Sequence, residues 1–195
     1  MIRLFTTLCK SVLEKLSDEV IFQEATNNFS YHNERCPGCG AAGKLSPYGD
    51  YYRYLVSHDG ENVIESRVNP LRFECMSCGR THALLPDIIV PYSQHSLRFI
   101  LTALVAYFER SKTVLAVCAD FDISVSTLYA WKHRLLEHKD LLLGMLESLK
   151  EPVQVFIRSL LASVHISEQL SNFFKSYAFS FLQNRSKATT RSHPP

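Results

Sequence analysis

An α+β fold is predicted for this chain by three observations. Two copies of C-x-x-C-G, Cys36-Pro37-Gly38-Cys39-Gly40 and Cys75-Met76-Ser77-Cys78-Gly79, stand 35 residues apart. Between them runs an aromatic and β-branched segment that contains an Asp-Gly turn signal. From Ser96 onward the apolar spacing changes from alternation to a helical period. The expected order is a small antiparallel ribbon, a helix-turn-helix and additional C-terminal helices.

One C-x-x-C pair admits redox chemistry, half a disulfide framework or half a metal site. The second copy points to metal, because a tetrahedral ion takes four deprotonated sulfurs at about 2.3 Å and each knuckle aims two at one point. A redox motif needs one such pair at a helix start, whereas both copies here are flanked by turn or strand signals. Cys36, Cys39, Cys75 and Cys78 are therefore the expected ligands of a structural Zn²⁺. The glycine behind each second cysteine permits positive φ, which turns backbone amides toward sulfur. His82 lies four residues past Cys78 and could replace a thiolate, but four cysteines already saturate the ion, so a ribbon contact is expected of it. Cys9 and Cys118 fit neither knuckle and read as small buried hydrophobes.

Between the knuckles, DYYRYLVS (50–57) and NVIESRV (62–68) read as strands joined by a turn at HDGE (58–61), and LRFEC (71–75) returns the chain to the second knuckle. This is the pattern of a zinc ribbon. So small a sheet buries too little to stand alone, and metal binding would supply its folding free energy. A Zn(Cys)₄ centre carries a formal charge of about −2; Arg35 and Arg80 beside the knuckles would offset it. The other use for Arg53, Arg67, Arg72 and Arg80 is to face phosphate. THALLPDIIVPYSQHS (81–96), with prolines at 86 and 91, reads as an extended connector.

Beyond it, Leu97, Ile100, Leu101, Leu104 and Phe108 form the apolar stripe of a helix capped by Ser96. A second helix is expected over about Thr113–Phe121, and Ser124 can cap a third, VSTLYAWKHRLLEH. The spacing suits a helix-turn-helix: Cys118 is the small residue, Asp122 takes the turn position where glycine is usual, and Val117, Phe121, Ile123, Leu128 and Trp131 lock the helices together. Aspartate tolerates the left-handed conformation better than most residues. With Leu128, Trp131 and Leu135 inward at about 100° per residue, Ser126, Tyr129, Ala130 and His133 form the outer face that would enter a major groove. Val125 and Lys132 flank one edge, and Thr127 and Arg134 the other, at positions suited to phosphate. No Arg, Asn or Gln lies in the base-reading set, so bidentate readout is absent there. The alternative is a solvated face of a helical bundle.

A formal charge of +2 excludes a bulk polycation, so any nucleic-acid surface must be a local patch. No apolar run of about 18 residues suggests a membrane span. The N-terminal apolar stretch is broken by Lys10 and Glu14 with no small-residue cleavage site after it, which predicts a cytoplasmic, reducing location.

CPGCG, RFECMSCGRTHALLP, PYSQHS and ISVSTLYAWKHRL together resemble the zinc-ribbon plus helix-turn-helix front end of bacterial insertion-sequence transposases, and still more a family of short bacterial proteins built from the same two modules. The resemblance covers roughly residues 34–136. It implies double-stranded DNA as partner, the four cysteines as zinc ligands and Ser124–Arg134 as the reading helix. It stops where transposase chemistry would begin: that requires three carboxylates on a sheet scaffold, and residues 139–195 hold few acids and no convincing strand. No enzymatic activity is expected. DLLLGMLESLK, PVQVFIRSLLASVH and SEQLSNFFKSYAFSFLQN read as two or three short helices, for packing within the chain or for a homodimer interface.

The expected partition is an N-terminal helical segment (1–30), the ribbon and connector (31–90), the helix-turn-helix domain (91–138), C-terminal helices (139–183) and a disordered tail (184–195). Two functions from different classes fit: a zinc-stabilised, sequence-specific DNA-binding protein, or a zinc-ribbon adaptor for protein partners.

Overall fold

The computed structural model describes residues 1–5, 16–145, 152–163 and 165–184. Cys9 and the tail from residue 185 on lie outside them. Six strands and six helices are described: β1 Ile2–Leu4, α1 Asp18–Asn27, β2 Leu45–Asp50, β3 Arg53–His58, β4 Val63–Val68, β5 Leu71–Cys75, β6 Thr81–Pro86, α2 Leu97–Glu109, α3 Val114–Asp120, α4 Val125–Met145, α5 Val153–Ala162 and α6 Ile166–Tyr177. The fold is thus α+β.

The strands form two sheets. One has the order β1-β6-β5-β2, with β1 parallel to β6 and the other neighbours antiparallel. The other is the β3–β4 hairpin, whose register pairs Arg53 with Val68 and His58 with Val63. Its turn falls at the expected Asp-Gly, where Asp59 Oδ1 accepts from the amides of Glu61 (2.9 Å) and Asn62 (2.7 Å). The hairpin does not bridge the knuckles; β2, β5 and β6 do.

Two local expectations change for the same reason, which is pairing that no local pattern encodes. Residues 81–86 are strand rather than connector, because β6 is held on one side by β5 and on the other by β1; Leu84 and Leu85 are buried as a result. The helical segment expected over 1–30 is a strand at Ile2–Leu4, in register with Leu84–Pro86, and a helix only from Asp18 among the described residues. β2 carries Pro47 and Gly49, poor strand formers that an edge position and a register shift between them tolerate.

The sheets and helices enclose three apolar clusters. Ile2, Leu45, Phe73 and Leu84 pack around Cys36 and Cys75. Ile21 and Phe22 of α1 cover Leu55, Val68, Leu85 and Ile89. The largest joins α2–α6, with Phe99, Leu104, Val117, Leu128, Trp131, Leu135, Phe156 and Phe173. Buried Asp18 pairs with Arg98 at 3.2 Å and ties α1 to α2. Helices α5 and α6 bury Phe156, Ile157, Leu160, Leu170 and Phe173 within the chain.

The helix starts follow local chemistry. Ser17, Ser96, Thr113 and Ser124 accept from the amides of Val20 (3.3 Å), Phe99 (3.0 Å), Ala116 (3.2 Å) and Thr127 (3.1 Å). Between α3 and α4 the chain bends by 99°, and Asp122 at φ 47° makes the turn. Nothing interrupts the helix at the expected 138/139 boundary, so α4 runs on through Leu142 instead of yielding to a separate helix. Asp122→Gly removes the Cβ penalty of the left-handed conformation; a gain of about 0.5–1 kcal/mol in denaturant unfolding is expected. Tyr92 at φ 63° is a second strained position. No single helix among the described residues is long and apolar enough to cross a membrane.

Candidate functional site

The two knuckles have the same backbone design. In the first, the Gly40 amide donates to the Cys36 carbonyl (2.8 Å) and the Cys36 amide to Ala41 (2.9 Å); in the second, Gly79 donates to Cys75 (2.8 Å) and Cys75 to Arg80 (3.0 Å). Gly40 (φ 75°) and Gly79 (φ 66°) take the left-handed conformation that closes each turn. The first cysteine of each knuckle is buried, Cys75 as the last residue of β5 and Cys36 beside the isolated Arg35–Ala42 bridge, while Cys39 is exposed and Cys78 half-buried.

The pairing of β2 with β5, which sets Leu45 opposite Cys75, brings the knuckles face to face. The four sulfurs lie within 4.8 Å of one another, Cys36 Sγ being 3.8 Å from Cys78 and Cys39 Sγ 3.7 Å from Cys75. Four sulfurs placed about 2.3 Å from a common centre stand about 3.8 Å apart along the edges of a tetrahedron. Two of the separations match such an edge and none exceeds 4.8 Å, so the donor set could hold a metal ion. All four thiols are free, and such separations are far from the roughly 2.05 Å of a disulfide.

The thiols are not equivalent. Burial raises the Cys36 thiol, but the Gly38 and Cys39 amides and the Cys75 and Cys39 sulfurs outweigh it and bring Cys36 down to about 7. At Cys78 the Arg80 amide pulls down, yet desolvation and the hydrogen bonds shared with the Cys39, Cys36 and Cys75 sulfurs push it up to about 11. Every thiol proton left on the four cysteines must be released when metal binds, so apparent metal affinity should fall as pH is lowered, and more steeply below about pH 7, where the Cys36 proton must also be displaced. Competition with a chromophoric chelator across pH 6–9 measures the trend and its steepening.

His82 is a neighbour of the cluster. Its Nε2 lies 3.2 Å from Cys36 Sγ and its Nδ1 3.1 Å from the Met1 amine. Burial, the Met1 ammonium and Arg80 hold the imidazole below its usual range. An ammonium can only donate, so Nδ1 accepts and Nε2–H is left to donate to the Cys36 thiolate. Arg80 lies over Gly38, where a Cβ would meet its Cδ at 3.1 Å. Arg35 is exposed beside Cys36.

On α4 the inward phase falls as expected, and of the four residues expected on the outer face three are exposed while Ala130 is half-buried. Leu128, Trp131 and Leu135 are buried; Ser124, Ser126, Tyr129 and His133 are exposed; Val125, Thr127, Ala130, Lys132 and Arg134 are intermediate. The Ser124 hydroxyl lies 2.8 Å from those of Ser126 and Thr127, which makes a small hydroxyl cluster at the helix start. Two candidate phosphate contacts are engaged within the chain. Lys132 Nζ donates to Tyr107 Oη (3.1 Å) and sits over the Tyr107 and Tyr129 rings. Arg134 donates to the carbonyls of Ala130 (3.2 Å) and Leu182 (3.3 Å), the latter supplied by the turn after α6. No spacing in α4 foretells the Leu182 contact.

Residues 36–131 match a family described as a domain of unknown function (DUF6431). The matched span begins at the first candidate ligand and ends at Trp131, so it takes in both knuckles, both sheets except β1, and the chain through the α3–α4 turn. No curated protein and no solved structure matches the chain.

Proposed function

We propose that the chain is a zinc-stabilised, sequence-specific DNA-binding protein, related in design to the DNA-recognition modules of insertion-sequence transposases and without catalytic machinery of its own. In this reading the knuckles and β2, β5 and β6 are a zinc ribbon, and α3–α4 is a helix-turn-helix. Zinc is the metal favoured by four thiolates in a tetrahedral set. Such a set leaves no coordination position for substrate, so the ion folds the ribbon rather than activating water.

The observation that carries the reading is the α3–α4 pair. Its 99° bend, its left-handed Asp122 and its buried Leu128 and Trp131 leave Ser126, Tyr129 and His133 exposed along one face of α4. Ser126, Tyr129, Ala130 and His133 would face base edges, while Ser124, Val125, Thr127, Lys132 and Arg134 would lie toward the backbone. One observation favours the alternative, an adaptor for protein partners: Lys132 and Arg134 are both tied to groups of the same chain. A homodimer would have to use the outer sides of α5 and α6, where Val155 is exposed, because their inner sides are spent on the core.

Selection from a random duplex pool by the zinc-loaded chain tests the proposal. Enrichment of a defined sequence is expected, with affinity falling steeply as salt rises and Tyr129→Ala or His133→Ala weakening the selected site by about tenfold. Absence of duplex affinity near 50 mM salt, where phosphate contacts are strongest, leaves the adaptor reading in its place.

A further inference from the structure

A cleft of about 1360 Å³ opens beside the metal-bearing sheet and is lined by none of the residues assigned to the duplex. Arg53, Arg72, Arg80, Tyr51, Tyr54 and Tyr92 line it, and among the described residues no aspartate or glutamate does. Two of the arginines are anchored. Arg53 donates to the Ser93 carbonyl, and Arg72 donates to the Thr81 hydroxyl (3.0 Å) while lying over the Tyr48 ring. Tyr54 is half-exposed with Arg67 over its ring, and Tyr92 is 44% exposed.

Tyr92 carries a second signal. The Ser93 amide donates to Val90 (3.1 Å) across Pro91-Tyr92, and Tyr92 has φ 63°. Proline followed by a positive φ is the pattern of a type II turn, whose third position calls for glycine. A large ring there is a folding liability kept at the mouth of the cleft, as strained residues at binding sites are.

Guanidinium groups take phosphate, and exposed tyrosine rings take the faces of unpaired bases. The cleft is also larger than the roughly 300–1,000 Å³ of small-molecule sites, which suits a run of nucleotides better than one. We propose that this cleft holds an unpaired nucleic-acid strand, with phosphates on Arg53, Arg72 and Arg80 and bases against Tyr54 and Tyr92. It contains no α4 residue, and so stands independently of duplex recognition.

Fluorescence anisotropy of the full, zinc-loaded chain with a labelled oligothymidylate of about 12 nucleotides, within the site size of single-strand folds, tests this. Binding is expected, weakened at least about fivefold by Arg72→Ala and by Tyr92→Gly. The salt slope should become shallower by about 0.7 in Arg72→Ala. Tyr92→Gly should melt no lower than the parent, which separates lost stacking from lost folding. Tyr129→Ala should bind the strand as the parent does. No strand binding near 50 mM salt, parental affinity in both cleft variants, equal weakening by Tyr129→Ala, or displacement by thymidine monophosphate as effective per nucleotide as by the strand would each overturn the proposal. Loss of duplex binding with strand binding intact counts against the duplex reading alone.

Discussion

Cys75→Ser is expected to abolish stoichiometric metal binding and to unfold the sheet that carries the knuckles. Cys75 is fully buried, its sulfur faces Cys39, and its amide and carbonyl close the second knuckle. The cluster around it is small: Ile2, Leu45, Phe73 and Leu84 supply most of its buried apolar surface besides the cysteines. Each such side chain contributes about 1.5–3 kcal/mol, and the ordering of each residue costs a comparable amount, so this sheet has little margin without the ion. Structural zinc contributes about 10–16 kcal/mol of apparent binding free energy in small domains, nearly all of it as folding free energy. A hydroxyl in place of one thiolate removes a strong ligand and leaves three thiolates without a full tetrahedron. Metal content by chelator release should drop from one equivalent per chain to well below it, and hydrogen exchange should rise across β2, β5 and β6. The helical cluster is separate, so the emission of Trp131, the only tryptophan, should keep its buried character. Retention of one tightly held metal ion in Cys75→Ser would rule out the four-thiolate site.

Trp131→Ala produces the opposite pattern. Trp131 is 3% exposed at the junction of α2 and α4, meeting Phe99 edge-on at 6.1 Å and His95 at 4.9 Å. Truncating a buried indole to alanine costs about 3–5 kcal/mol through lost transfer energy and the cavity left behind. That is a large share of the 5–15 kcal/mol typical of a whole protein. Denaturant unfolding followed by circular dichroism should show the loss, while metal content stays at one equivalent because no ligand belongs to this cluster. Trp131→Phe should cost less, since most of the volume is kept. A parental midpoint in Trp131→Ala would show that the α2–α4 junction contributes little to stability.

The two variants separate what the α+β description joins. Each knuckle was legible because its chemistry is local: two cysteines, a turn and a glycine with positive φ lie within five residues. The hairpin was legible through Asp59-Gly60, and two helix starts through Ser96 and Ser124, each of which caps within three residues of itself. The inward phase of Leu128, Trp131 and Leu135 followed from helical period alone, and Asp122 was legible as the turn residue because few side chains accept a positive φ.

What stayed hidden depends on partners far away in sequence. Thr81–Pro86 looked like a connector between prolines until β1, about 80 residues earlier, paired with it. The partner of Arg134 lies 48 residues on, at Leu182. The arginine and tyrosine cleft draws on β3, β5, β6 and the turn at Pro91-Tyr92, which no sequence window contains together. Spacing, caps and turn residues by themselves determined the knuckles, the hairpin and the helix pair, because those are decided within a few residues by backbone sterics and local hydrogen bonds. Only the tertiary structure decided the sheet order, the tethering of Lys132 and Arg134 and the shape of the cleft, because each depends on closing a long loop whose ends carry no local mark of one another.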